Sequence, residues 1–265
     1  MLKAIKKYLP KNVITVIYKS LNFYRTFLLK GDNYLCPICN FNASKFLPYG
    51  EDHEAIKKYK IIGMGYRNNA ICPNCFSKDR ERLVYLFLQK LLKENIINLH
   101  SKIIHFSPES SLEKNLFRKN FTNYITADII FEKCDVNIDL QNFKYEDKNF
   151  DFVICNHVLE HIENDNIAIK NIYNILKKGG FALLQVPLSI DIREDFKKKE
   201  ISTEKEQLNS YGQIDHVRIY SKKNYLEKIE QAGFKINIDE MKKEKNNIPS
   251  YGLNSNEFII LAEKN

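Results

Sequence analysis

Phe150-Asp151-Phe152-Val153-Ile154-Cys155-Asn156-His157-Val158-Leu159-Glu160-His161-Ile162 is the stretch on which the reading of this chain turns. Its first half, Phe150–Cys155, is apolar almost without a break, as in a strand covered on both faces. A helix pattern follows from about Asp165 to Lys178, and Lys177, Lys178 and Gly179-Gly180 close it in the order expected of a C-terminus. Buried strand, helix and strand in succession form the unit of a parallel sheet.

The same alternation extends both ways. Upstream, Arg80–Lys93 reads as a helix and Ile103–Phe106 as a strand, and a helix opens at Ser110 with Glu113 completing a capping-box pattern. Strands then fall at Tyr124–Ala127 and around Val136–Ile138. Downstream lie a strand over Phe181–Val186, a helix over Ser221–Ala232 ended by Gly233, and strands near Lys235–Ile238 and Glu257–Ala262. The polar run from Glu200 to Gln213 reads as a loop or lid. Expected is an α/β fold, a doubly wound and mostly parallel sheet, with ligands bound where the strands end.

At those ends stand two carboxylates. Asp128 closes the second strand, 22 residues after Phe106, where an acid can accept both hydrogen bonds of a ribose diol. Asp139, followed by Leu140, closes the third, where a carboxylate can meet an adenine amino group. The first loop, Ser107-Pro108-Glu109-Ser110, holds no glycine, which counts against a dinucleotide whose pyrophosphate needs close backbone approach. Glu109 has two readings, a ligand contact or a complement to the helix dipole.

The Phe150–Ile162 stretch closely resembles the fourth-strand segment of class I S-adenosylmethionine-dependent methyltransferases. Asn174-Ile175-Leu176-Lys177-Lys178-Gly179-Gly180 resembles their turn into the fifth strand. The resemblance covers roughly residues 100–265 and implies a Rossmann-like fold, with the cofactor S-adenosylmethionine held by Ser107, Glu109, Asp128, Asp139, Leu140, Asn156 and His157. Ser107–Ser110 departs from the GxGxG normal to that loop. The paired cysteines followed by Arg80–Leu88 are similar to a subgroup with an N-terminal zinc module, often associated with bacterial surface-polysaccharide synthesis.

Cys36-Pro-Ile-Cys39 and Cys72-Pro-Asn-Cys75 are two CxxC knuckles 32 residues apart. Each can aim two thiolates at one ion, and together they predict a structural Zn2+ with four sulfur ligands and no open position for chemistry. Three regions follow: a basic segment over 1–30, a zinc module over 31–78 and the catalytic domain over 79–265.

The 265 residues carry a net charge of +8, but residues 1–30 hold seven basic side chains and no acid, leaving about +1 for the rest. The body therefore has no excess positive charge to grip a polyphosphate. The basic segment has no clean signal-peptide core. Its apolar residues predict one or two helices, either packed on the body or set against an acidic membrane surface. The protein is expected in the cytoplasm, peripheral to the inner membrane face in the second reading.

For chemistry at a hydroxyl or amine acceptor, the expected base is His216, oriented by Asp215, with His157 at the sulfonium and His161 and Arg218 against the acceptor. The expected acceptor is a small molecule or saccharide; the alternative is RNA or protein docked on the zinc module. His157-Val-Leu-Glu-His161 also matches the H-x-x-E-H pattern of zinc peptidases, but it directly follows a buried strand in a βαβ series.

Overall fold

In a computed structural model of the chain, the apolar runs pair into one seven-stranded sheet. Its strands are β1 (Ile103–Phe106), β2 (Tyr124–Asp128), β3 (Val136–Asn137), β4 (Phe150–Cys155), β5 (Leu176–Leu183), β6 (Phe234–Asp239) and β7 (Ile259–Lys264). They lie in the order β3-β2-β1-β4-β5-β7-β6. The strands from β3 through β5 are mutually parallel, and β7 runs against both its neighbours. The structure describes residues 10–265 apart from 131, 133, 144–148, 199 and 202. Lys3, Lys6 and Lys7 of the basic segment lie outside the described residues.

Strand periodicity sorts the core into two layers. Ile104, Val153 and Cys155 face Ala168, Ile169 and Ile172 of helix Asp165–Ile175 and Ile229 of helix Lys222–Gln231. Ile103, Phe152 and Ile154 face Leu83, Phe87, Leu88 and Leu91 of helix Asp79–Lys93, together with Phe46 and Cys72 from the cysteine-bearing region. Each fully buried Leu or Ile contributes about 1.5–3 kcal/mol relative to exposure, so both faces of β4 need apolar residues.

The cysteine-bearing region is stitched to the catalytic body at two places. Strand Ile61–Ile62 pairs antiparallel with Leu188–Ser189, which pairs parallel with Tyr220–Ser221. Arg82, fully buried, donates to the carbonyls of Ala70, Ser77, Tyr251 and Gly252, and lies 4.4 Å over the Phe46 ring. Five donors in a planar fork suit this role; a lysine could not reach four carbonyls at once.

Three local expectations need correction. The Asp165 helix ends at Ile175, because Leu176 already pairs with Phe150 in β5. No capping box forms at Ser110: Glu113 binds Arg118 instead, and the run continues as a π-helical turn over Glu113–Phe117. The polar run is no loop over Glu204–Tyr211 but a helix, capped reciprocally by Thr203 and Glu206. Lys11–Leu28 forms one helix. Arg25 anchors its end to the Pro73 carbonyl and the Phe76 ring, whereas Val16, Leu21, Phe23, Tyr24, Phe27 and Leu28 are exposed.

Candidate active site

Because β1 is flanked by β2 on one side and β4 on the other, the chain reverses its winding there, and a crevice opens at the strand ends. A cleft of about 440 Å³ lies outside β1–β3, lined by Ser107, Asp128, Asp139 and Leu140, with Ile129, Ile138, Val158 and Ile162 as apolar walls. Asp128 lends one oxygen to the Ile130 N–H and Asp139 one to the Gln141 N–H, which fixes both carboxylates at the rim. Both acids therefore share one open cleft. Ser107 takes φ +48°, the left-handed conformation that a glycine normally supplies, while its N–H binds the Ala127 carbonyl.

Glu109 has a defined place. Its Oε2 lies 2.7 Å from His105 Nε2, and its Oε1 accepts from Asn156 Nδ2 at 3.3 Å. His105, fully buried on β1, meets the Tyr124 hydroxyl through Nδ1 at 3.0 Å. Burial pushes the Glu109 carboxyl up, but the bond and charge of His105 and the charge of Arg80 outweigh it, so its pKa falls below the usual range. Glu109 thus presents a fixed negative charge beside Asn156, whose Oδ1 has no hydrogen-bond partner among the described residues.

A second pocket, about 350 Å³, opens on the other side of His157. Its walls come from Gly63–Gly65, from Leu208, Gly212 and Ile214 at the end of the capped helix, and from Glu160, His161 and His216. A third cavity runs from His157 past Asn156, Glu109 and Arg80. His157 borders all three, held by its N–H on the Gln185 carbonyl at 2.7 Å with φ +55°. Burial and the charge of Arg80 drive its pKa well below the ordinary value, so the imidazole is neutral. The acid-rimmed cleft and the polar pocket thus meet at one neutral imidazole.

A family model described as a methyltransferase domain matches residues 76–237. The chain belongs to that family. Residues 76–237 are an S-adenosylmethionine-dependent methyltransferase domain. An uncharacterized protein of Methanocaldococcus jannaschii is 28% identical over 128 residues, covering 45% of this chain and 59% of that relative. Among solved structures, an S-adenosylmethionine-dependent methyltransferase from Mesorhizobium loti is 12% identical, covering 64% of this chain and 95% of its own, with a TM-score of 0.44. One from Archaeoglobus fulgidus is 16% identical, with 68% and 94% covered and a TM-score of 0.44.

In the methyltransferase domain, two sequence expectations shift. Asp215 does not orient His216. Its carbonyl and carboxylate lie 3.0 and 3.4 Å from His161 Nδ1, because the Val217 N–H bonded to the Glu160 carbonyl sets the segment beside the Leu159–His161 turn. Arg218 does not reach an acceptor. It is buried, pairs with Asp165 at 2.6 Å and donates to the carbonyls of Ile162 and Glu163. His161 and His216 both line the second pocket, with ring centroids 4.8 Å apart. Burial and His161 push the His216 imidazole down to about 3, and burial pushes the Glu160 carboxyl up to about 8. Of the H-x-x-E-H run, Leu159–His161 form a 3-10 turn and His157 precedes it, so no helix aligns the two histidines as a peptidase would need.

Arg80 was hidden in the sequence as an ordinary first-turn arginine. It borders the second pocket and the third cavity beside His157, and its Nε has no hydrogen-bond partner among the described residues. Cys36, Cys39, Cys72 and Cys75 are free thiols whose sulfurs lie within 4.8 Å of one another, with Cys36–Cys75 at 3.6 Å and Cys39–Cys72 at 3.7 Å. Four sulfurs so close, with no disulfide, match the donor set of a tetrahedral zinc site.

Proposed function

We propose that the methyltransferase passes a methyl group from S-adenosylmethionine to a hydroxyl or amine of a small-molecule or saccharide acceptor, as in surface-polysaccharide synthesis. The observation that carries this reading is His157, standing between the nucleoside cleft and the polar pocket. Asp128 takes the ribose and Asp139 with the Leu140 backbone the adenine. Glu109 and Arg80 attract the ammonium and carboxylate of the methionine moiety, and Asn156 lies near the sulfonium. The acceptor atom bonds to the methyl carbon as the carbon–sulfur bond breaks, and its proton leaves through the imidazoles facing the pocket. Alignment and exclusion of water supply most of the rate. Cys36, Cys39, Cys72 and Cys75 hold a structural zinc, and the Lys11–Leu28 helix rests on an acidic membrane face.

S-adenosylhomocysteine at about 100 times its dissociation constant should add roughly 2.7 kcal/mol of stability. Asp128→Ala should lose most of that shift. Labelled methyl from the cofactor should then appear in a saccharide or small-molecule fraction of cell extract. Label confined to RNA or protein would reject the acceptor class, and an unmoved melting temperature would reject cofactor binding.

A further inference from the structure

The acceptor-side pocket contains a convergence that methyl transfer does not itself require. One carboxylate oxygen of Glu160 and one imidazole nitrogen each from His161 and His216 lie within 4.8 Å of one another. Glu160 is 1% exposed and His216 3%. Glu160 Oε2 has no hydrogen-bond partner among the described residues, and its Oε1 is 3.4 Å from His157 Nδ1 and 4.0 Å from His161 Nε2. A carboxyl buried with so little around it keeps its proton unless a countercharge arrives to replace it.

The donors are also held in place. Glu160 and His161 sit on the short turn after β4, whereas His216 arrives from the segment that follows helix Glu204–Tyr211. The Val217 N–H to Glu160 carbonyl bond, 3.0 Å, locks the two segments together. A carbonyl can only accept, so the Asp215 carbonyl 3.0 Å from His161 Nδ1 places the proton on that nitrogen. Nε2 is left as a lone pair turned toward Glu160. Metal-bound histidines are oriented in this way, by a carbonyl or carboxylate on the opposite ring nitrogen.

We propose that Glu160, His161 and His216 bind a divalent transition-metal cation that holds an acceptor oxygen in the pocket beside the transferred methyl. Two imidazoles and one carboxylate suit zinc, iron, cobalt or manganese and leave coordination positions open to water or substrate. Bond lengths of about 2.0–2.2 Å put one ion within reach of all three donors after small side-chain rotations. This ligand set differs from the His157–His161 pair of the peptidase pattern. This site rests on the proposed methyl transfer and refines it: His161 and His216 are ligands, the cation fixes the nucleophile, and its proton leaves through His157, which lines the same pocket.

Mn2+ separates this site from the four cysteines, because thiolates favour softer ions. Protein carrying a single equivalent of Zn2+, which the four thiolates take first, is titrated with Mn2+; with free Mn2+ read by electron paramagnetic resonance, it should bind one Mn2+ per chain. Glu160→Gln and His216→Asn should each weaken that binding at least tenfold. Melting with S-adenosylhomocysteine reports whether each variant is folded, so either folded variant decides the question. Absence of saturable binding, or undiminished binding by a folded variant, overturns the site. Stabilisation by S-adenosylhomocysteine in those same samples would leave the methyltransferase reading standing.

Discussion

Glu257 lies 7% exposed in a small cavity shared with Arg80, Glu109, Asn156 and His157, and its Oε1 has no hydrogen-bond partner among the described residues. Burial, then the nearby charge of Asp79, raises its pKa to about 7. A carboxyl raised in the fold binds its proton more tightly there than in the unfolded chain. Its contribution is full below about pH 4.5 and is lost as pH rises through about 7. Between pH 5 and 7.5 the stability of wild type should therefore fall more than that of Glu257→Gln, by on the order of 1–3 kcal/mol. Parallel melting curves for the two proteins would refute this. Asp128 and Asp139 were legible from sequence because a strand tip is fixed by where its apolar run stops. The partners of Asp215 and Arg218 were not. Asp215 reaches back 54 residues to His161, and Arg218 reaches Asp165, contacts that no spacing rule encodes.

The order and type of the sheet elements followed from periodicity, but three segments obeyed tertiary demands instead. Strand pairing of Leu176 cuts short a helix whose own signals run on to Gly180. The helix Glu204–Tyr211 looks polar because only one side is covered, with Tyr211 packed on Ile56, Ile61 and Ile219. The Lys11–Leu28 helix keeps a row of large apolar side chains in water while carrying Lys11, Lys19 and Arg25 and no acid. No described helix is long and apolar enough to cross a membrane. A basic helix with exposed Phe23 and Phe27 fits the surface of an anionic bilayer, where each basic residue adds about 1 kcal/mol near the lipid. Vesicles containing phosphatidylserine should sediment the protein at low salt and release it at high salt. Phe23→Ser with Phe27→Ser should weaken binding several-fold. Equal binding to neutral vesicles, or none to anionic ones, would remove this role.

At the scale of the molecule, the four cysteines and the catalytic pocket are mechanically joined. From Cys39 the chain passes through strand Leu47–Tyr49, helix Glu54–Lys58 and strand Ile61–Ile62 before returning through Arg67–Ile71 to Cys72. Ile61–Ile62 pairs with Leu188–Ser189, and Gly63–Gly65 walls the acceptor-side pocket. Asp128, at the end of β2, and Asp139, two residues past β3, lie on the far side of His157, and this excursion pairs with neither strand. A zinc ion clamping the two knuckles would therefore shape the acceptor pocket and leave the nucleoside cleft nearly untouched. Cys75→Ser, which removes one ligand of a closed four-thiolate site, should lower zinc content and melting temperature together. Hydrogen exchange should rise over residues 47–71 and at Leu188–Ser189, whereas β1 and β4 stay protected, and affinity for S-adenosylhomocysteine should change less than about threefold, under 1 kcal/mol. Uniform loss of protection across the sheet would show that the knuckles support the whole fold, and unchanged exchange over 47–71 would show that they do not shape the pocket.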